Sequence, residues 1–459
     1  MHGPAPTDGN TLMQRRSGVL LHPTSLPSGV LDGDVLRWLD FLAEAGQGVW
    51  QVLPLGMPCA GYSPYQSLSA FAANPALLPP GTEPAPEPED PEYRNWFEQQ
   101  AFWLEDFAAF LVLRELHDGQ PWYQWPAPYR DRATDALQKL LRKQAARLQQ
   151  IYWQQYRLYR AWQEVRQAAG ARNIQLFGDM PIFVAHDSAD VWASPRRFLL
   201  DEAGRLTFNT GVPPDYFSAT GQSWGNPHYD WDYMEAEHFS WWIQRMQSQL
   251  EWFDLLRLDH FRGLEAVWMI EPGSETAIHG RWVKTPGDRM LAALQQQLGR
   301  IPLVAEDLGI ITPEVVELRR RFHLPGMAVL QFAFDQFEDN PHKPLNIQPQ
   351  TVVYTGTHDN DTTRGWFDAL PPDQQQHVMG VLKIEDPARV VEAMIRLALH
   401  SRAQLCMLPL QDILELGSEA RMNVPGDSGN HWRWKFDWKQ LEPSDAVRLA
   451  EMTHDAERV

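Results

Sequence analysis

The chain has 459 residues, 44% of them hydrophobic and 22% charged, and its formal net charge is −19. An acidic surface repels nucleic acid and anionic membranes, so neither is an expected partner, whereas a neutral substrate is unaffected. We find no apolar run of about 18 residues and no secretory leader, and Cys59 and Cys406 lack metal-ligand spacing. We therefore expect no membrane span, disulfide framework or zinc site, and a cytoplasmic location.

The predicted elements begin after a polar stretch, 1–14, which is punctuated by Pro and Gly and predicts a disordered tail before a single domain over 15–459. Strands that alternate with helices predict a parallel sheet with right-handed crossovers, and eight of them predict a (β/α)₈ TIM barrel. A doubly wound sheet is the alternative, but the Gly-rich phosphate motifs that mark it are missing from the sequence. The eight β-like runs are 18–22, 48–55, 173–184, 253–261, 301–309, 326–334, 351–359 and 403–412.

Helical patterns separate these runs. Residues 35–46 end at Gly46, a typical C-cap, and 311–322 begin with Thr312 as N-cap and Pro313 at the first helical position. A TIM barrel takes about 250 residues, which leaves about 200 for insertions. We predict inserted subdomains at about 76–172, rich in long aromatic helices, and at about 185–240, which reads as a non-strand excursion. They follow the second and third strands, so they should surround the C-terminal mouth of the barrel.

Charged residues cluster where the predicted strands end, and in a TIM barrel these ends surround the active site. In LLRLD (255–259), Arg257 and Asp259 are two positions apart, so their side chains leave the same face of the strand. That face is the barrel interior, where an unpaired charge is costly. The arginine would lower the pKa of the Asp259 carboxyl and keep it ionised, as a nucleophile requires.

Glu306 follows the apolar run 301–305, so partial desolvation should raise its pKa and let it donate a proton near neutrality. Two carboxyl groups with opposed environments are what retaining glycoside chemistry requires. Asp359, between His358 and Asn360, supplies a third acid at the same mouth.

Each of these acids also has a structural interpretation. Asp259 could form an ion pair with Arg262, AEDLG (305–309) could be the acidic start of a helix, and HDND (358–361) has enough donors for a metal site. PGDSGN (425–430) resembles the surroundings of a serine nucleophile, but a turn explains it better. The catalytic interpretation is favoured because independent structural causes would not place acids at the ends of the third, fourth, fifth and seventh strands, on one face of one barrel.

These strand-end motifs resemble those of the 4-α-glucanotransferases, also called amylomaltases or disproportionating enzymes, of glycoside hydrolase family 77. The resemblance extends from about residue 18 to 434 and rests on the motifs together. They are LLHPTSLP (20–27), WQVLPLG (50–56), SPYQSLSAFAANP (63–75), GDMPIFVAHDSADVWA (178–193), GVPPDYFSATGQSWGNP (211–227), RLDHFRG (257–263), AEDLG (305–309), PGMAVLQFAFD (325–335), GTHDNDTT (356–363) and LGSEARMNVPG (416–426).

The resemblance implies a role for each matching residue. Asp259 would be the nucleophile, Glu306 the general acid/base and Asp359 a stabiliser of the transition state. Arg257 and His358 would position them, while Tyr65, Asp179, Tyr216, Phe217, Trp224 and Asn226 would line the subsites. The chain departs from the family at PSGVLDGDV (27–35), which is shorter than usual, and at Tyr62, where an aspartate is common. Both departures put the subsite preference in doubt.

The implied reaction is a retaining double displacement that transfers segments of α-1,4-glucan to the 4-hydroxyl of glucose or of another glucan. The expected substrates are maltose, maltodextrins and amylose, with glucose as acceptor, and the reaction needs no metal or organic cofactor. We expect a monomer or weak homodimer. The alternatives are an α-amylase-like hydrolase and a non-catalytic glucan-binding protein.

Overall fold

The computed structural model describes residues 14–59, 61–81, 90–214, 218–427, 429 and 431–458. Its strands are β1 (Arg16–Leu20), β2 (Val49–Gln51), β3 (Gln175–Pro181), β4 (Asn209–Val212), β5 (Gln222–Ser223), β6 (Leu255–Asp259), β7 (Ala266–Ile270), β8 (Gly280–Lys284), β9 (Leu303–Ala305), β10 (Gly326–Val329), β11 (Thr351–Tyr354) and β12 (Leu405–Pro409). Its helices are α1 (Gly33–Glu44), α2 (Pro91–Leu116), α3 (Ala127–Arg130), α4 (Thr134–Lys143), α5 (Ala145–Gly170), α6 (Ala189–Ala193), α7 (Trp231–Ala236), α8 (Ser240–Trp252), α9 (Gly287–Leu298), α10 (Pro313–Arg321), α11 (Thr363–Asp368), α12 (Pro372–Leu382), α13 (Val390–His400), α14 (Leu410–Ile413) and α15 (Pro443–Asp455).

Eight of the strands form one parallel sheet in the order β10-β11-β12-β1-β2-β3-β6-β9. The two edge strands meet where the Ala305 amide donates to the Pro325 carbonyl at 2.8 Å, so the sheet is nearly closed into a barrel. Seven of the eight predicted runs contain one of these strands, and the first run, 18–22, overlaps β1, which begins two residues earlier at Arg16. Helices lie between successive barrel strands except between β10 and β11, where the described residues form only a short 3₁₀ turn. The prediction of a (β/α)₈ barrel is confirmed.

The interior of the barrel is filled by alternate residues of its strands. Leu255 of β6 and Val304 of β9 pack there with Phe177, Met327, Tyr354 and Met407. Because side chains alternate along a strand, Arg257 and Asp259 share the inner face with Leu255. The residues between them, such as Leu258, pack on the outer helices instead.

The two predicted helix ends that carry clear capping signals are confirmed. Helix α1 begins after Asp32, whose carboxylate accepts the Asp34 amide at 2.9 Å. It ends at Glu44 with Ala45 as the C-cap, and the predicted glycine, Gly46, lies one position further with φ = 68°. Helix α10 begins at Pro313, with Thr312 in the N-cap position, although its side chain forms no capping hydrogen bond.

The first inserted region carries helices α2 to α5, and its two longest members pack together through aromatic side chains. Trp96 of α2 lies 5.2 Å, ring centre to ring centre, from Tyr156 of α5. The division of the chain into subdomains stays a prediction. Residues 1–13 of the predicted tail lie outside the described residues.

The second inserted region differs from the prediction. The stretch 185–240 was expected to contain no strand, but it contains β4 and β5, which join β7 and β8 in an antiparallel sheet of order β5-β4-β7-β8. The signal was hidden because β4 and β5 have only four and two residues, too short to show alternation, and both are polar. Strand β5 pairs with β4, and β4 pairs with β7, which lies beyond the fourth barrel strand.

In the described part of the chain, no helix combines the length and apolar character needed to span a membrane. Cys406 is a buried free thiol. The cytoplasmic location and the oligomeric state stay predictions.

Candidate active site

A cavity of about 390 Å³ opens at the carboxyl ends of the barrel strands. Of the predicted site residues, Tyr65, Trp224, Asn226, Arg257, Asp259, Glu306, His358 and Asp359 line it. Tyr216 and Phe217 lie outside the described residues. Asp179 lies below the cavity, where its side chain is completely buried.

Arg257 is the centre of the polar network beneath the cavity. The register places it directly opposite Asp179 on the neighbouring strand. Its guanidinium donates to Asp179 at 2.6 Å and to Asp259 at 2.7 Å, and the Tyr65 hydroxyl donates to Asp179 at 2.7 Å. Arg257 therefore fixes the orientation of Asp259, and Asp179 in turn fixes Arg257.

The protonation of Asp259 differs from the prediction. Burial raises the pKa of the Asp259 carboxyl to about 6, although Arg257 acts in the opposite direction. Asp179 and Asp359 add to the rise because nearby negative charges disfavour ionisation. The predicted lowering was therefore wrong, since desolvation outweighs the ion pair. Asp259 is nevertheless mainly ionised at pH 7.

Glu306 follows β9, and its carboxylate accepts the main-chain amides of His260 at 2.7 Å and Leu308 at 3.1 Å. Burial raises the pKa of the Glu306 carboxyl to about 8, and the charge of Asp259 adds to this effect. The predicted direction is confirmed. At neutral pH the two neighbouring acids therefore differ, with Asp259 mainly ionised and Glu306 mainly protonated.

His260 owes its position to an unusual backbone. It has φ = 56°, in the left-handed region that non-glycine residues rarely adopt. His260 directly follows Asp259, and its main-chain amide donates to the Glu306 carboxylate. The strained residue thus links the two catalytic candidates.

Asp359 is held from two sides. Asn423 donates to its carboxylate and Arg421 to its carbonyl, each at 2.7 Å. Nε2 of His358 lies 3.4 Å from the Asp359 carboxylate, and the imidazole stacks on Tyr65 with ring centres 5.2 Å apart. Burial lowers the pKa of His358, so this imidazole is neutral at pH 7.

Buried Asp412 anchors the loop that carries Asp359. Its carboxylate accepts the Thr355 hydroxyl at 2.5 Å, and the amide and hydroxyl of Thr363 at 2.7 Å each. Thr355 and Thr363 bracket the loop, so one carboxylate ties both of its ends. Sequence reasoning missed the role of Asp412, although it is the acid that ends the eighth predicted run.

Sequence reasoning also missed Asn423, Gln66 and Trp432. Asn423 lies inside the motif 416–426, and the resemblance gave no residue of that motif a role. Gln66 donates to the Asn226 side chain at 2.9 Å and to the Trp224 carbonyl at 3.2 Å, so it fixes the 224–226 loop against the SPYQ segment. Trp432 lines the cavity and lies outside every motif that we had used.

The structure also tests the structural interpretations of Asp259, of AEDLG (305–309) and of HDND (358–361). The partner of Asp259 is Arg257, not Arg262. Asp307 does not begin a helix; it pairs with Arg319 at 3.0 Å and accepts the Met327 amide. For 358–361, the described residues hold no group of three or more His, Cys, Asp or Glu side chains placed to bind a metal.

A TIM barrel with an ionised and a protonated carboxyl side by side at its mouth is typical of enzymes that act on glycosidic bonds. Comparison with known proteins identifies the family. The profile of glycoside hydrolase family 77, described as 4-alpha-glucanotransferase, matches residues 21–85 and 81–440. The chain belongs to this family.

Relatives named 4-alpha-glucanotransferase match almost the whole length of this chain. The 4-alpha-glucanotransferase of Thermus thermophilus is 44% identical over 97% of this chain and 100% of the relative. The 4-alpha-glucanotransferase of Synechocystis sp. is 43% identical over 94% of this chain and 95% of the relative. The amylomaltase of Streptococcus agalactiae, solved in complex with acarbose, has a TM-score of 0.91 at 31% identity, covering 97% of this chain and 100% of the other.

Proposed function

We propose that this protein transfers segments of α-1,4-glucan to the 4-hydroxyl of glucose or of another α-1,4-glucan by a retaining double displacement. The observation that carries the proposal is the pair of opposed carboxyl groups in one cavity, with the pKa of Asp259 at about 6 and that of Glu306 at about 8. Membership of the 4-alpha-glucanotransferase family supports the type of reaction.

In the first step, the Asp259 carboxylate attacks the anomeric carbon of the donor glucan, and the bond from that carbon to the glycosidic oxygen breaks. Glu306 gives its proton to this oxygen, which leaves as the 4-hydroxyl of the released chain. The products are a β-linked glycosyl-enzyme and an ionised Glu306. Neutral pH supplies both groups in the required state because burial holds the pKa of Glu306 above 7.

In the second step, the 4-hydroxyl of an acceptor sugar gives its proton to Glu306 and attacks the same anomeric carbon. The bond to Asp259 breaks, and the α-1,4 link is restored. Two inversions at one carbon give retention. The enzyme returns to its starting protonation, so no proton is gained or lost over the cycle.

The other cavity residues hold the sugar and the developing charge. Asp359, oriented by Asn423, is placed to accept hydroxyls of the sugar that forms the covalent bond. The partly positive sugar ring of the transition state is stabilised by the nearby carboxylates. Arg257 keeps Asp259 aimed at the anomeric carbon through their 2.7 Å hydrogen bond.

Incubation with maltotriose tests the proposal. Transfer yields glucose and a ladder of longer oligomers while the number of reducing ends stays constant. An α-amylase-like hydrolase would raise that number in step with product formation, and a binding protein would bind maltotriose without forming products. Either of these results would refute the proposed activity.

A further inference from the structure

One wall of the cavity is built from two residues that the proposed mechanism does not use. Arg262 follows β6 in a short 3₁₀ turn, Trp282 lies on β8, and both line the cavity. The guanidinium carbon of Arg262 is 3.6 Å from the centre of the Trp282 ring, so the cation is stacked on one face of the indole.

Arg262 is a buried cation that is influenced by the charge of Glu314 but forms no salt bridge with it. Only 6% of it is exposed, and no carboxylate of the described residues lies within 4.0 Å of its guanidinium nitrogens. Nη1 donates to the Ile310 carbonyl, while buried Nε has no hydrogen-bond partner. A guanidinium has five N–H donors, and burying one that is only partly satisfied is costly. Nη2 has no hydrogen-bond partner among the described residues and is not fully buried, so a ligand in the cavity that supplies acceptors would complete the guanidinium's hydrogen bonds.

Trp282 presents the complementary surface. Although Arg262 covers one face and the Trp268 ring lies 5.1 Å away, 38% of Trp282 remains exposed. A flat indole beside unsatisfied guanidinium donors suits a pyranose ring, which has apolar C–H faces and a rim of hydroxyl acceptors.

The position of Glu306 identifies the side of the cleavage point to which this wall belongs. Glu306 protonates the leaving oxygen, so it lies toward the leaving group and the acceptor. The chain continues from Glu306 to Ile310, whose carbonyl accepts from Arg262. His260 contacts Glu306 itself and therefore stands beside the first acceptor sugar, whereas Arg262 lies two residues further along the turn.

We propose that Arg262 and Trp282 form the second acceptor subsite, which stacks the glucosyl ring next to the one that supplies the attacking hydroxyl. The inference rests on the proposed glucan transfer and deepens it. It predicts that this wall selects maltose over glucose as acceptor, because only maltose reaches the second subsite.

The test uses α-maltosyl fluoride as donor, with glucose or maltose as acceptor, and compares kcat/KM for the two acceptors. In Trp282→Ala the preference for maltose over glucose should fall about tenfold, equivalent to about 1.4 kcal/mol. Trp282→Phe should keep most of the preference because it retains an aromatic face. Arg281→Ala is the matched control, since Arg281 is exposed on the same strand and does not line the cavity.

An unchanged preference in Trp282→Ala would overturn the subsite, and so would an equal loss with both acceptors, which indicates damage nearer the reaction centre. If Trp282→Ala does not fold, Trp282→Leu compared with Trp282→Phe gives the same discrimination. Failure of the proposed function itself looks different, because the wild-type protein would then release fluoride without forming oligosaccharides, or would not react.

Discussion

Two arginines are buried at opposite ends of the barrel, Arg257 at the mouth and Arg458 at the base, and they are 4% and 2% exposed. Arg257 is surrounded by carboxylates, which raise its pKa above the usual range although burial acts to lower it. Burial lowers the pKa of Arg458. Its guanidinium donates to main-chain carbonyls, among them those of Leu399 at 2.6 Å and Ala403 at 2.8 Å.

The comparison shows that a buried arginine can serve two different purposes. Carbonyl groups satisfy the donors of Arg458 without adding a titratable charge. Arg458 therefore stabilises the base of the barrel without making it chemically reactive. The carboxylates around Arg257 can change protonation, so the mouth gains reactivity but depends on pH. This matches the general division of TIM barrels into a catalytic C-terminal face and a stabilising N-terminal face.

The largest expected effect comes from removing the nucleophile at the mouth. Asp259→Asn cannot form the glycosyl-enzyme, so we expect kcat for maltotriose transfer to fall by about 10⁴-fold or more. Arg257 keeps its bond to Asp179, so the urea midpoint of unfolding should stay close to that of the wild type. Full turnover by this variant would show that Asp259 is not the nucleophile.

Removing the cation at the mouth is the next largest effect. Arg257→Met leaves Asp259 without its counter-charge, so the pKa of Asp259 should rise further and the acidic limb of the pH profile should move to higher pH. We expect kcat/KM at pH 7 to fall about 10²- to 10³-fold, the size typical of lost electrostatic stabilisation. An acidic limb that stays in place would contradict the pairing.

The corresponding change at the base should act on stability instead. Arg458→Met leaves several buried carbonyls unsatisfied, and we expect the free energy of unfolding to fall by about 3 kcal/mol. Activity per folded molecule should not change, because Arg458 does not line the cavity. Arg448→Met on helix α15 is the control, since Arg448 forms exposed ion pairs worth less than about 1 kcal/mol and donates to one main-chain carbonyl, that of Ile413, instead of several. Equal losses in the two variants would remove the distinction between the ends.

The smallest effect is a pH dependence that only the mouth should show. Activity requires ionised Asp259 and protonated Glu306, so kcat/KM should fall below about pH 6 and above about pH 8. Each limb should change about tenfold per pH unit, with apparent pKa values that belong to the coupled pair. Glu306→Gln, assayed with α-maltosyl fluoride, should lose the alkaline limb, because fluoride leaves without a proton donor. Persistence of that limb would assign it to another group.

Many of the residues at the barrel mouth could be predicted because the sequence shows where the strands end. An apolar run that stops at a charged residue places Asp259 and Glu306 at the same edge, and the period of two places Arg257 beside Asp259. The direction of the Asp259 pKa shift was missed because sequence shows neighbours but not depth of burial. Asp179 was expected in the cavity for the same reason, although it lies beneath it.

Long-range contacts explain the other omissions. Asp412 and Thr363 are 49 residues apart, and Asn423 and Asp359 are 64 apart, so no local pattern connects them. The short strands β4 and β5 were missed because they form through pairing, β4 with β7 and β5 with β4, and their own residues carry no strand pattern.

The closure of the barrel also constrains how the protein is made. Strand β1 pairs with β12, and Arg458 binds the carbonyl of Arg16, 442 residues away in the chain. On the ribosome, β1 must therefore wait with one edge unpaired until β12 has emerged, and an open edge invites aggregation. Asn423, which orients Asp359, is synthesised after β12. A nascent chain thus cannot complete its catalytic centre before the ring closes, and folding and activity should appear together.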